Sequence, residues 1–335
     1  MSGLDVAVAL AIAYAFTNGL HDAANSIATL VATRGARPGP AVVLAATGNI
    51  LGPLLFGAAV ADVVAGVVQV PADEVVTVIG AALTGAVVWN LVTWRKGLPS
   101  SSGHALVGGL AGAAIVEGGL GAVNWGPFDG WKPAGVGGIL LALAIAPVAG
   151  FLIGWVGDRV LRVGFRRATD SVRGPVRAAQ WGASGLVAFG HGANDGQKAI
   201  GLIGALLLAA GKSSSFHAPT WAELACGVAL TVGTAFGGWP IVKTIGRRLF
   251  RLRPVDALAS ESGSAAVLFI STAVGAPVST TQVVASSVVG TGSGHGRMHH
   301  IRWEVVREVA AAWIVTLPVC AALAALALVP WRWFT

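Results

Sequence analysis

Charge is the scarcest commodity in this chain of 335 residues: Asp, Glu, Lys and Arg together make up 11%. Soluble domains carry about 25%, so water is the wrong solvent for most of this surface. Cysteine is nearly absent. Cys226 and Cys320 each sit inside an apolar run, which excludes a disulfide framework and any cysteine-based metal spacing, and they read as small core residues. The N-terminus lacks a basic stretch followed by a small-residue cleavage site, so its first apolar run is not read as a cleaved signal. No metal set and no cofactor motif is legible, and none is expected.

What is present is apolar residue in bulk, 55% of the chain, with a mean hydropathy of +0.74. Ten apolar segments are legible, roughly 4–33, 41–67, 73–94, 98–118, 134–160, 181–211, 221–242, 258–274, 277–292 and 304–330. A span needs about 20 residues, and the pair 258–274 and 277–292 is short of that. The fold class this predicts is an all-α polytopic membrane protein. The net charge of +7 then finds its place. With the N-terminus outside, alternate loops gather eighteen of the 22 basic residues on the cytoplasmic side, from Arg34 and Arg37 to Arg297, Arg302 and Arg307. The positive-inside rule therefore predicts both termini outside, in a cell membrane, with lipid rather than nucleic acid as the partner of the basic residues. Trp89, Trp94, Trp125, Trp131, Trp331 and Trp333, near segment ends, read as an interfacial belt.

The chain also repeats itself. Gly19-Leu20-His21-Asp22-Ala23-Ala24-Asn25 has a counterpart in Gly192-Ala193-Asn194-Asp195-Gly196-Gln197-Lys198. Downstream, Pro99-Ser100-Ser101-Ser102-Gly103-His104 answers to Pro277-Val278-Ser279-Thr280-Thr281-Gln282. Asp22 precedes Pro99 by 77 positions and Asp195 precedes Pro277 by 82. Two halves of five segments each must lie inverted in the membrane, because five is odd. The organisation read from this is a first repeat over 1–161, a basic cytoplasmic linker over 162–180 and a second repeat over 181–335.

Each polar island interrupts an apolar segment, and irregular backbone at membrane depth is tolerated only inside protein or beside a wet cavity. Broken or re-entrant helices follow. A helix starting at such a break points unpaired N–H groups and a positive dipole end at whatever lies there, which suits an anion. Ser101, Ser102, Ser279 and Thr280 are the candidate hydroxyl donors, against the bland reading that such hydroxyls bond back to their own helices. Asp22, Asp195 and Lys198 are ionisable groups inside apolar segments and read as functional, although Asp195 and Lys198, three apart, could simply neutralise each other. Carboxylates beside an anion site favour a protonated oxyanion such as phosphate over sulfate, which offers only acceptors, or else a co-bound cation that bridges the charges. His21, His104 and His191 adjoin the islands as candidate proton carriers or plain hydrogen-bonding groups. His217, His295, His299 and His300 fall in loops, and Glu261 reads either as lying at the cytoplasmic surface, the reading favoured here, or as a buried proton site.

The runs Phe16 to Arg34 and His191 to Gly201, with the paired Pro-Ser/Thr motifs, resemble the inorganic phosphate transporter family over essentially the whole chain. The resemblance implies a phosphate site at the repeat interface, with binding roles for Asp22, Asn25, Ser101, Ser102, Asp195, Ser279 and Thr280. Lys198, Asn194, Gln197, His104, Thr281 and Gln282 are further candidates. Sodium-coupled members carry Asn three residues after the Asp in both repeats, whereas here Asn25 is matched by Lys198. That variant resembles the bacterial low-affinity branch and implies a secondary active transporter importing phosphate, partly as metal-phosphate complexes, by proton rather than sodium symport. A homodimer is also implied. A sulfate permease of the same family is the nearest alternative. An intramembrane hydrolase using Ser102, His104 and Asp22 is the alternative from another class; the second Ser/Thr motif, without a His, argues against an enzyme.

Overall fold

The computed structural model describes residues 2–335 other than 23, 127, 131, 168–171, 237, 295 and 297. Trp131, His295 and Arg297 of the expected belt and loops therefore lie outside the described residues.

Helix α1 (Gly3–His21) opens on a capping box, in which Ser2 Oγ accepts from the Asp5 N–H and the Asp5 carboxylate accepts from the Ser2 N–H; each orphan donor of the first turn is met by a side chain. There follow α2 (Ala24–Ala32), α3 (Pro38–Leu55), the short α4 (Ala59–Ala65), α5 (Val75–Lys96), α6 (Ser102–Gly118) and α7 (Gly135–Phe165). The described part of the second half repeats the order. It runs α8 (Arg173–His191), α9 (Gln197–Ala209), α10 (Thr220–Phe236), α11 (Trp239–Lys243), α12 (Pro254–Ala273), α13 (Thr280–Gly294) and α14 (Trp303–Phe334). Two π-helical turns, Gly192–Gly196 and Thr244–Leu249, stand after α8 and α11. Within the stretch 162–180, α7 continues to Phe165 and α8 already begins at Arg173.

Packing between the halves is reciprocal. Helix α1 lies on α10 and α3 on α8; α5 and α6 lie on α14, and α12 and α13 on α7; α4 meets α9, and α11 meets α2. Glycines permit the closest of these approaches. A Cβ on Gly108 would stand 2.5 Å from the Leu317 carbonyl oxygen, and one on Gly290 would stand 2.1 Å from that of Phe151, so only a residue without a side chain lets the backbones meet.

Among the described residues, five helical stretches are long and apolar enough to cross a membrane: Gly3–Ala32, Pro38–Leu55, Val75–Lys96, Gly135–Phe165 and Trp303–Phe334. The pair Thr220–Phe236 and Trp239–Leu249, bent by 60°, makes a sixth if the two are taken as one span. The chain is a multi-pass membrane protein. The count is lower than the ten apolar segments because polar islands shorten the rest. Helices α6 and α13 have 17 and 15 residues, α8 begins with Arg173 and Arg177 in its first turns, and α12 buries Asp256 and Glu261.

The segment 73–118 is a hairpin. Val68 bridges Val123 in antiparallel fashion, with the Gln69 N–H donating to Ala122 O at 2.8 Å, so the chain entering α5 and the chain leaving α6 are at one place and the Pro99–Ser101 motif is at the tip. α12 and α13 pair likewise: Ser287 Oγ donates to Ser260 O at 3.2 Å, and Pro277–Ser279 forms that tip. Of the expected belt, Trp331 is buried, its ring against Gly80 and its Nε1 donating to Thr84 Oγ1; it is a packing residue of α14, not an interfacial one.

Candidate functional site

The two hairpin tips and the two helix breaks come together. Helix α6 starts with Ser101 as its cap, Oγ accepting from the His104 N–H at 3.2 Å, and before α13 Ser279 accepts in the same way from the Gln282 N–H at 3.4 Å. Repeat-related residues thus do the same job. Ser101 and Ser279 are taken up as caps, leaving the N–H groups that begin each helix, at Ser102 and Gly103 and at Thr280 and Thr281, without acceptors among the described residues, as helix starts do.

Asp22 and Asp195 are each 2% exposed, and both are ringed by donors. Ser102 Oγ donates to Asp22 Oδ2 at 2.5 Å, Thr281 Oγ1 donates to Asp22 Oδ1 at 2.6 Å, and His21 Nδ1 lies 2.9 Å from Oδ1. Thr280 Oγ1 donates to Asp195 Oδ2 at 2.6 Å, the Lys198 ammonium holds Oδ1, and His191 Nε2 stands 3.5 Å from Oδ2. The adjacent residues Thr280 and Thr281 therefore reach the two carboxylates from different halves of the chain. Successive Cα atoms are about 3.8 Å apart, so Asp22 and Asp195 face one hairpin tip and share one place.

The remaining candidates tie the breaks to the tips. Asn194 donates to Ala276 O and Thr272 Oγ1 and accepts from the Val278 N–H at 3.1 Å. Its counterpart His21 has Nε2 3.2 Å from Leu98 O, the residue preceding the other Pro motif. Lys198 Nζ also donates to Val278 O at 2.7 Å. Gln197 is outside this cluster: its Oε1 accepts from the Val60 and Ala61 N–H groups, capping α4. Gln282 and His104 are buried, and His104 Nδ1 has no partner among the described residues.

The pseudo-equivalence breaks where Asn25 is matched by Lys198. In the first break Asn25 Nδ2 donates to Thr281 Oγ1 at 2.7 Å. Lys198 is its counterpart, and Gly103 is the counterpart of Thr281. A Cβ on Gly103 would lie 3.3 Å from Lys198 Nζ. The ammonium thus fills the space and supplies the hydrogen bond that a threonine on the first hairpin would otherwise supply.

A Ser102–His104–Asp22 relay is not formed. Ser102 bonds Asp22 directly, and the ring of His104 makes no hydrogen bond to either among the described residues, so a nucleophile–base contact is lacking.

Sequence patterning left out Tyr14 and did not settle Glu261. Tyr14 is fully buried and its hydroxyl donates to Ser102 O at 3.1 Å. Glu261, for which the sequence favoured the surface over a buried proton site, is 3% exposed and accepts from Thr29 Oγ1 at 2.5 Å, with Oε2 unpartnered among the described residues. Its position on α12, packed against α2 and α8, buries it. The signal available was a carboxylate amid Ser260 and Ser264 in an apolar stretch.

The sequence pattern of the phosphate transporter family matches this chain twice, over residues 18–174 and 164–324. The chain belongs to the phosphate transporter family. Among family members it is similar to a protein of Rhizobium meliloti called a probable low-affinity inorganic phosphate transporter, 39% identical over 321 residues that cover 95% of this chain and 93% of that one. A Bacillus subtilis protein of the same description is 36% identical over 323 residues, covering 96% and 94%. A solved structure described as the sodium-dependent phosphate transporter shares the fold, with a TM-score of 0.88 at 24% identity, covering 99% of this chain and all of that one.

Proposed function

We propose that the chain carries inorganic phosphate across a cell membrane as a proton-coupled secondary transporter, binding it between the two hairpin tips. The observation that carries the reading is the pair Thr280–Thr281, one residue on each of two buried carboxylates drawn from different halves. Asp22, Asn25, Ser101, Ser102, Asp195, Lys198, Ser279 and Thr280 are the proposed binding set, with Thr281 added on equal terms. The free N–H groups at the starts of α6 and α13 are the anion donors of this reading, and the hydroxyls of Ser102, Thr280 and Thr281 hold the carboxylates until substrate arrives. A phosphate hydroxyl can donate to a carboxylate, and sulfate cannot; phosphate is accordingly preferred, alone or as a metal-phosphate complex.

The duplicated helix order and reciprocal packing support two repeats, 1–161 and 181–335 about the linker 162–180, inverted in the plane of the membrane. Both termini are then outside, with the basic loops on the cytoplasmic side. Alternating access is the rocking of these repeats about the shared site, and a homodimer is the proposed assembly. Proton coupling rests on Lys198. A resident ammonium beside Asp195 supplies the charge that a sodium ion would bring, leaving protonation to balance the import of an anion.

The test is uptake of radiolabelled phosphate into proteoliposomes under imposed proton or sodium gradients, with sulfate as competitor. Proton-driven uptake that is lost in Asp22→Asn is expected. Uptake that follows sodium alone and is unchanged in Lys198→Asn would overturn the coupling, and equal competition by sulfate would overturn the selectivity.

A further inference from the structure

Apart from the carboxylate cluster, one cavity of about 580 Å³ gathers charge of a single sign. It is lined by Arg34, Arg247, Arg251 and Arg302, with Thr33 and the backbone of Gly246, and no acidic residue lines it. The adjoining basic residues are engaged elsewhere: Arg248 lies 3.8 Å from Glu308, and Arg253 and Asp256 cap the start of α12. None of the four cavity arginines has a carboxylate within 4.0 Å among the described residues. The four side chains are solvent-exposed and of like charge, and an anion with several oxygens can bridge guanidinium groups that line one hollow. The guanidinium fork matches phosphate oxygens two at a time.

The backbone fixes this arrangement. Arg34 is the one non-glycine residue with a left-handed backbone among the described residues, φ 60°, and it ends α2 so that the Gly35 N–H returns to Leu30 O at 2.8 Å. That closure satisfies a carbonyl at the end of the helix. Opposite, the π turn Thr244–Leu249 carries Arg247 and brings Gly246 against α2, where a Cβ would stand 2.7 Å from Ala28 O. The Arg302 N–H donates to Leu249 O at 3.0 Å. Three separate stretches of chain are thus pinned together with their arginines on one cavity. Helix α2 links it to the buried cluster: Asn25 and Ala32, the last residue of α2, are seven positions apart, about 10 Å at 1.5 Å each.

We infer that this cavity is a second phosphoryl-oxyanion site, taking either inorganic phosphate at the basic end of α2 or the phosphate headgroup of an anionic lipid. The inorganic phosphate arm rests on the proposed function; the lipid arm does not.

The experiment uses the purified full chain. Radiolabelled inorganic phosphate binding is measured in phosphatidylcholine nanodiscs, and phosphatidylglycerol retention is measured by native mass spectrometry. Arg247→Gln/Arg251→Gln is compared with Arg34→Gln/Arg302→Gln, with Arg248→Gln as a charge-matched control, all checked for unchanged melting. Each cavity pair is expected to weaken binding at this site at least about tenfold, as loss of charge-assisted bonds does, while Arg248→Gln stays near wild type. In the phosphate arm, one of two bound phosphates per chain is lost and the other is kept. If wild type binds one phosphate and the cavity variants bind none, the cavity stands and the buried cluster fails as a phosphate site. Loss confined to phosphatidylglycerol names the lipid as ligand. Both cavity pairs behaving like wild type in both arms overturns the inference.

Discussion

Thr281 and Asp22 stand 259 positions apart and are joined by a 2.6 Å hydrogen bond, while Thr280 gives its hydroxyl proton to Asp195. A single dipeptide at the tip of the second hairpin thus reads the charge of both halves. Thr281→Val and Thr280→Val each remove one donor from a buried carboxylate, worth about 1.5–3 kcal/mol. Initial rates of labelled phosphate uptake are expected to fall roughly tenfold to a hundredfold in either variant, and Thr281→Ser is expected to recover most of the loss. Wild-type rates in Thr281→Val would remove the tip from the site.

Lys198 and Asp195 form a fully buried ion pair, and the two ways of losing it differ. Lys198→Met strands the carboxylate and is expected to cost about 3–5 kcal/mol, whereas Asp195→Asn/Lys198→Met removes both charges and is expected to recover most of that stability. Thermal melting in detergent reads the difference. Equal melting of the single and double variants would mean that the pair does not hold the break together.

Glu261 sets a test of the proton path. Glu261→Gln keeps an oxygen facing Thr29 but cannot titrate. The fold is expected to survive, with a melting temperature within a few degrees of wild type, while uptake loses its response to an imposed pH gradient. A variant whose uptake still tracks the gradient would exclude Glu261 from the coupling.

Gly52 and Gly182 separate packing from helix propensity. A Cβ on Gly52 would lie 2.4 Å from Ala193 N and Phe189 O, prising α3 from the π turn that carries Asp195, while one on Gly182 meets nothing within 4 Å. Gly52→Ala is expected to cost about 1–3 kcal/mol and to depress uptake. Gly182→Ala, inside α8, is expected to gain up to about 1 kcal/mol from the better helix former. Parallel melting curves check both.

Apolar runs, paired motifs and their spacing were enough to read a membrane-embedded helical chain with two related halves and polar islands at Asp22, Ser101, Asp195 and Thr280. These are local properties: lipid permits only internally bonded backbone, so composition dictates helices, and a Pro followed by hydroxyls dictates where one starts again. The repeat alone, however, could not rank Thr281 beside Thr280, because its counterpart is Gly103 and no first-half residue predicts its role. Nor could it place Glu261, whose burial depends on how α12 lies against α2 and α8.

Those matters belong to contacts between residues far apart in the chain. Register and crossing of the two hairpins decide which hydroxyl meets which carboxylate, and a side chain's partner across an interface leaves no period in its own sequence. The sequence by itself determined the solvent, the helical class and the residues with chemistry to offer. Only the tertiary structure decided that Thr280 and Thr281 divide the two aspartates between them, and that Lys198 fills the room left by Gly103.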